Sequence, residues 1–292
     1  MKKLFRKAYD LLAQAAKARR ERALDAYSAQ AAFFTFISLV PVCALAFGII
    51  KILPADLSEF YARISPMLPP LLHSFISLAY EAADSADSAA VIALSAVVWF
   101  YTASRGIYSV TRGVRSAYGG SGSGGIKLRL GSLLYTLAFV AMLLVSALLL
   151  VFGNRIVLAV RRASPEWLDI GAFNAFVRSA AALVLLFLAH LAAYRFIPEK
   201  RSTLIASLPG ALCASALWMA ASFFYSVYID WYADSAVSLY GGLAAAVLLL
   251  LWLYACMSAT LTGGLINSLL AERASRRPDA ASHAAPEEKS AE

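Results

Sequence analysis

Six long apolar runs divide this chain. They are Ala26–Leu53, broken only by Lys51 near its end; Ala89–Ser104, stopped by Arg105; Leu130–Asn154, extendable to Val160; Ile170–Tyr194, which contains Arg178; Thr203–Ile229; and Tyr240–Leu270. Most reach the roughly 20 residues a helix needs to cross a bilayer. They are rich in Leu, Ala, Val and Phe and lack the alternation over about 10 residues that marks a strand of a transmembrane barrel. Backbone in hydrocarbon must satisfy its own polar groups, so these runs predict helices. The expected fold is all-α, a polytopic membrane bundle of six transmembrane helices.

The segments between the runs carry patterns of their own. Residues 2–24 fit an amphipathic helix, with Leu4, Ala8, Leu11, Leu12 and Ala15 on one face and Lys2, Lys3, Lys7, Lys17 and Arg20 mostly off it. In the loop after the first run, Leu57, Phe60, Tyr61 and Ile64 share a helical face. Past Pro66, Pro69 and Pro70, a second face runs Leu72, Phe75, Ile76 and Ala79. Two short helices broken by prolines fit this loop, as an outer cap, a re-entrant hairpin or a docking element. Residues 119–125, all Gly or Ser, fit a flexible linker. The Ala-, Ser-, Pro- and Glu-rich tail from Pro278 fits disorder. The expected organisation is a cytoplasmic amphipathic helix (1–25), a six-helix membrane domain (26–270) and a disordered cytoplasmic tail (271–292).

Composition narrows the class and charge orients it. Of 292 residues, 61% are apolar or aromatic and 15% are charged, against about 25% charged in an average soluble domain. That excludes an ordinary soluble enzyme and a disordered chain. The net charge of +8 would raise nucleic-acid binding in a soluble protein. In a membrane protein it reads as the excess of Lys and Arg on the cytoplasmic side. With the N-terminus inside, 20 of the 26 basic residues fall in inside segments. This bias predicts an even number of crossings with both termini cytoplasmic. Arg161-Arg162 is a basic pair left on the outside, with no role assigned. No cleavable leader is expected, because the first run is longer than the roughly 7–15 residues of a signal core. Cys43, Cys213 and Cys256 all lie in apolar runs and read as buried thiols.

The chemistry-bearing residues are sparse. His73, His190 and His283 stand far apart, so no zinc-hydrolase spacing exists, and no G-x-S-x-G elbow or carboxylate pair lies within a run. The expectation is no enzyme, no metal, no cofactor and no nucleic-acid partner. What remains is polar residues at membrane depth, which are costly and often functional. Arg105, Arg178 and Arg195 border or interrupt short runs and are candidate contacts for a headgroup or substrate. Helix-break or packing positions are Ser38 and Pro41 in the first run, Pro198 after the fourth, Pro209 and Gly210 in the fifth, and Gly241, Gly242, Gly263 and Asn267 in the sixth.

Several phrases, in this order and spacing, resemble the YihY/BrkB family of bacterial inner-membrane proteins over residues 27–270. They are Ala31-Ala32-Phe33-Phe34-Thr35 with Ser38 and Pro41; Ser104-Arg105-Gly106 leading to Tyr118-Gly119; Tyr194-Arg195-Phe196-Ile197-Pro198; Pro209-Gly210-Ala211 with Trp218 and Tyr225; and Tyr240-Gly241-Gly242-Leu243 with Trp252-Leu253-Tyr254. The resemblance implies six helices in the inner membrane with both termini inside. It implies no settled activity: the family's old ribonuclease BN label reads as a misassignment, and some members are linked to serum resistance or lipopolysaccharide handling. Where members often carry Gly-Ala-Glu before an Asn, this chain has Gly263-Gly264-Leu265-Ile266-Asn267. Leu265 stands in place of that Glu, which counts against proton coupling through a carboxylate there.

Two functions fit these observations. One is transport or handling of an amphiphilic, anionic, lipid-like molecule in the cell envelope, with membrane lipids as partners. The other is a non-transporting envelope scaffold that holds a protein partner through the outer loop. A polar cavity or lateral groove reaching Arg178 or Arg105 would favour the first, and a filled bundle core the second.

Overall fold

The computed structural model describes residues 13–52, 57–65, 70–85, 88–120, 170–199, 202–240 and 242–282. The third apolar run, Arg155, Arg161, Arg162, Gly241 and the first twelve residues lie outside the described residues, as do residues 283–292. Among the described residues there are eight helices and no strand. They are α1 (13–21), α2 (Leu24–Ile52), α3 (Leu57–Ile64), α4 (Pro70–Ser85), α5 (Ser88–Ala117), α6 (Ile170–Phe196), α7 (Leu204–Tyr240) and α8 (Gly242–Ser282).

Three stretches are long and apolar enough to cross a membrane: Leu24–Gly48, Leu204–Ile229 and Ala246–Ser275. Leu183–Phe196 in α6 is a shorter apolar segment. α2 and α7 are apolar all round, as expected of helices with lipid on one side and protein on the other.

The packing bears this out. Many buried positions are small or hydroxylated, among them Ala31, Ala32, Ala211, Ala214, Ser28, Ser109, Ser207 and Ser215, and they sit beside larger buried side chains such as Leu24, Tyr194, Leu261 and Leu265. Large apolar side chains point outward, among them Leu94, Val97, Phe223, Phe224 and Leu251. Small residues inside let backbones approach, while the apolar exterior suits hydrocarbon.

α2 is the hub. It packs on α5, α8 and α4; α8 also packs on α7, and α7 on α6. α2 and α5 are antiparallel. Ser116 donates to the Arg22 carbonyl, Ser109 to the Tyr27 carbonyl, and Arg105 reaches Phe34, so one number falls as the other rises. α7 and α8 are antiparallel by the same test, pairing Ser207 with Asn267 and Ser222 with Trp252.

α3 and α4 form a hairpin beside α2. Tyr61 of α3 stacks on Tyr80 of α4 at 4.3 Å, and both rings meet Phe47 edge-on. One turn above Phe47, the Lys51 ammonium donates to the carbonyls of Ala83 and Asp84, one turn after Tyr80. α4 therefore runs parallel to α2, and its first residue lies about 15 Å below Tyr80 at 1.5 Å per residue.

The ends differ from the sequence reading in three places. The amphipathic segment does not run straight into the first span. α1 stops at residue 21, and Ala23 turns the chain with a φ of 50°. α5 continues past Arg105 to Ala117, because Arg105 sits on its side and not at its end. Gly119 and Gly120, read as linker, close α5: Gly119 has φ 75°, its N–H donates to Ser116, and the Gly120 N–H donates to Arg115. α8 also runs on to Ser282, beyond Leu270.

Candidate functional site

α5 presents a repeated unit to α2. Arg105 lies over the rings of Phe34 and Tyr101, at 5.5 and 5.8 Å from their centroids. Seven residues on, Arg112 lies over Tyr27 and Tyr108, at 5.6 and 5.7 Å. Each arginine follows its own tyrosine by four residues, one helical turn. The α2 rings are also seven apart, so the two units superpose along the antiparallel pair.

An aromatic face attracts a guanidinium without neutralising it, contributing about 0.5–2 kcal/mol according to desolvation. The Nε atoms of both arginines are buried and have no hydrogen-bond partner. Among the described residues, no carboxylate pairs with either guanidinium.

Other arginines near this end of the bundle are differently employed. Arg19 pairs with Asp25 at 2.6 Å and donates to Thr262 and Ser258 of α8. Arg22 pairs with Glu272 and donates to Ser268 and the Ala117 carbonyl. Arg115 donates to the Ile197 carbonyl and faces Glu199 at 3.7 Å. These three tie α1, α5, α8 and the α6–α7 turn together.

The three arginines singled out from the sequence do not converge. Arg195 donates to the Ser202 carbonyl and staples the turn in which Pro198 is buried. Arg178 lies in α6, 17 residues before Arg195, which is about 25 Å along the helix; its side chain is outside the described residues. Arg105 is the one of the three placed on the α2–α5 seam.

The packing positions form a second polar centre, between α6, α7 and α8. His190 Nδ1 is 3.1 Å from the Ser215 hydroxyl, and Nε2 is 3.1 Å from that of Thr260. Tyr194 donates to the Thr260 carbonyl at 2.5 Å. Asn267 accepts from the Gly210 N–H at 2.7 Å and donates to the Ser207 carbonyl at 3.1 Å. Gly210 and Gly263 lie back to back: a Cβ on either would collide with the other's carbonyl oxygen. Ser38 is satisfied within α2 by the Thr35 carbonyl, and α2 continues through Pro41.

At the mouth of this centre, the buried Tyr118 hydroxyl faces Asn267 without completing a hydrogen bond to it. Burial raises the Tyr118 phenol above its ordinary range, so it stays protonated. Every ring nitrogen and carboxamide atom here is committed to helix packing, which fits polar adhesion between membrane helices.

Sequence reading missed Arg112, which it counted only as an inside charge. The signal was present as Tyr101-x-x-x-Arg105-x-x-Tyr108-x-x-x-Arg112. It also missed His190 as the junction of three helices. No local spacing encodes that, because Ser215 and Thr260 lie 25 and 70 residues away.

Known proteins extend this picture. The family model described as Virulence factor BrkB matches residues 15–288. A ribonuclease-like protein of Bacillus subtilis, YfkH, is 26% identical over 254 residues, covering 84% of this chain and 90% of that protein. A UPF0761 membrane protein of Vibrio parahaemolyticus is 34% identical over 103 residues, 35% of this chain and 32% of that one. A second, from Aliivibrio salmonicida, is 32% identical over 90 residues, 31% of this chain and 29% of that one. No solved structure matches. With a match that spans nearly its whole length, and with helices apolar enough to cross a bilayer, the chain belongs to the BrkB family of membrane proteins.

Proposed function

We propose that this protein handles an anionic, lipid-like amphiphile within a bacterial inner membrane, moving its headgroup along the bundle. The observation that carries the reading is Arg105. It is a cation about 15 Å along the α2–α5 seam from the first residue of α2, held over two aromatic rings and, among the described residues, without a carboxylate partner. A charge at such depth is costly, so an arginine kept there unpaired suits a transient anionic partner.

The proposed topology is six crossings with both termini cytoplasmic. α5 ends beside the C-terminal end of α6, at Ile197 and Glu199. α6 therefore begins at the opposite end of the bundle, which supports a further crossing between Gly120 and Ile170. The excess of Lys and Arg in the segments joining these ends supports the orientation.

Flux measurement in proteoliposomes tests the reading. The intact protein is expected to speed transbilayer movement of a fluorescent phosphatidylglycerol over that of a phosphatidylcholine. Arg105→Ala is expected to slow it about tenfold or more, as the loss of a hydrogen bond to a charged group worth roughly 1.5–3 kcal/mol implies. Protein-free rates with the intact protein, or full flux in a well-folded Arg105→Ala, would overturn it.

A further inference from the structure

We infer that Arg105 and Arg112 together form a two-rung binding site for the phosphate of an anionic phospholipid, on the lipid-facing seam of α2 and α5. The inference rests on the reading of the protein as a handler of anionic amphiphiles and assigns that reading a place and a ligand class.

Four observations carry it. The first is the repeat: the same tyrosine–arginine step on α5, against an aromatic ring of α2, occurs twice at a spacing of seven. Seven residues are about 10.5 Å of helix, so the cations stand one above the other on a single face. The second is that, among the described residues, neither guanidinium has a carboxylate partner. Both Nε atoms are buried and unsatisfied, whereas Arg19, Arg22 and Arg115 each meet an acid. The buried Nε atoms are shielded, so the donors offered to a phosphate are the terminal nitrogens of each planar guanidinium, which fit it in two parallel hydrogen bonds.

The third observation is what flanks the cations. Outward along α5, Leu94, Val97, Val98 and Tyr101 are exposed, and Phe33 is exposed on the adjoining α2. From Leu94 to Arg105 is about 16 Å of helix, near the depth of one leaflet of a roughly 30 Å hydrocarbon core. A free phosphate would use only the arginines, while a phospholipid would use the apolar strip as well. The fourth is placement. Arg112 reaches Tyr27, in the first turn of α2, and Arg105 lies two turns deeper. An anion binding first at Arg112 would therefore find its second rung farther into the bilayer.

Binding to the purified full-length protein in neutral detergent, read by native mass spectrometry, tests this. Phosphatidylglycerol, phosphatidylcholine and inorganic phosphate are the three probes. The expected result is retention of phosphatidylglycerol, at least tenfold weaker retention of phosphatidylcholine, and displacement by inorganic phosphate only at far higher concentration. Arg105→Gln/Arg112→Gln, which keeps most of the packing, is expected to lower phosphatidylglycerol retention at least tenfold. Arg105→Lys/Arg112→Lys, which keeps charge but not the fork, is expected to fall between.

Size-exclusion profile and melting temperature establish that the variants are folded, and the Lys pair serves if the Gln pair is not. Equal retention of the two lipids, or retention unchanged in a folded variant, overturns the site. So does displacement by inorganic phosphate at the concentration of the lipid, which would make the ligand a free ion. Retention that depends on both arginines, with no lipid flux in proteoliposomes, would support this site and remove the proposed function. Lipid flux with no retained phosphatidylglycerol would do the reverse.

Discussion

Glycines and arginines decide most of the energetics at the scale of single residues. Gly210 and Gly263 bring α7 and α8 so close that a methyl group on either meets the partner's backbone oxygen, which cannot rotate away. Gly264, one residue on, meets only ordinary contacts at 3.5 Å and beyond. Gly210→Ala is therefore expected to destabilise the folded protein by about 1–3 kcal/mol, the usual cost of overpacking, seen as a lowered melting temperature in detergent. Gly264→Ala is expected to leave it nearly unchanged. Equal melting temperatures for the two variants would contradict this account of the α7–α8 contact. Arginine follows the opposite logic, since its surroundings decide its meaning. Arg195, a candidate contact by sequence, donates to the Ser202 carbonyl, while Arg112, which read as an inside charge, shares the geometry of Arg105.

At the scale of elements, the helices among the described residues were legible and their limits were not. Runs of Leu, Ala and Val fix where helix must form, because hydrocarbon offers the backbone no other partner. They do not fix where it stops. α5 extends beyond Ser104 because Arg105 and Arg112 project onto α2 and because Gly119 supplies the left-handed cap. α8 extends beyond Leu270 through helix-favouring Ala, Glu and Arg, with Glu272 paired to Arg22 and Arg273 to Gln14. The turn at Ala23 had no sequence signal, since alanine favours helix; it is held by the Arg19–Asp25 pair that spans it and by Arg22, which anchors to Glu272 of α8. Asn267 was legible as a polar residue in an apolar run. Its partners on α7 were not, as they depend on which helix lies opposite.

At the scale of the whole molecule, a hub helix, α2, carries both the arginine seam and the α3–α4 hairpin on its flanks. The two short helices expected in this loop are present as α3 and α4, and the direction of α4 follows from Phe47 and Lys51. If the outer end of α2 lies at the membrane surface, the start of α4 lies within the bilayer. In a variant with Cys43, Cys213 and Cys256 replaced, a cysteine at His73 is expected to react at least tenfold more slowly with a membrane-impermeant thiol reagent than one at Asp84. Equal rates would place the whole hairpin outside.

Central to the molecule's proposed role is the phospholipid site at Arg105 and Arg112, which have no carboxylate partner among the described residues. The most direct test is a structure of the protein in nanodiscs containing phosphatidylglycerol. The expected result is headgroup density within hydrogen-bond reach of the Arg105 and Arg112 guanidinium groups, with acyl density along Leu94, Val97 and Val98. A map that resolves both side chains but pairs them with a protein carboxylate, or fills the seam with protein and leaves no lipid there, would contradict it.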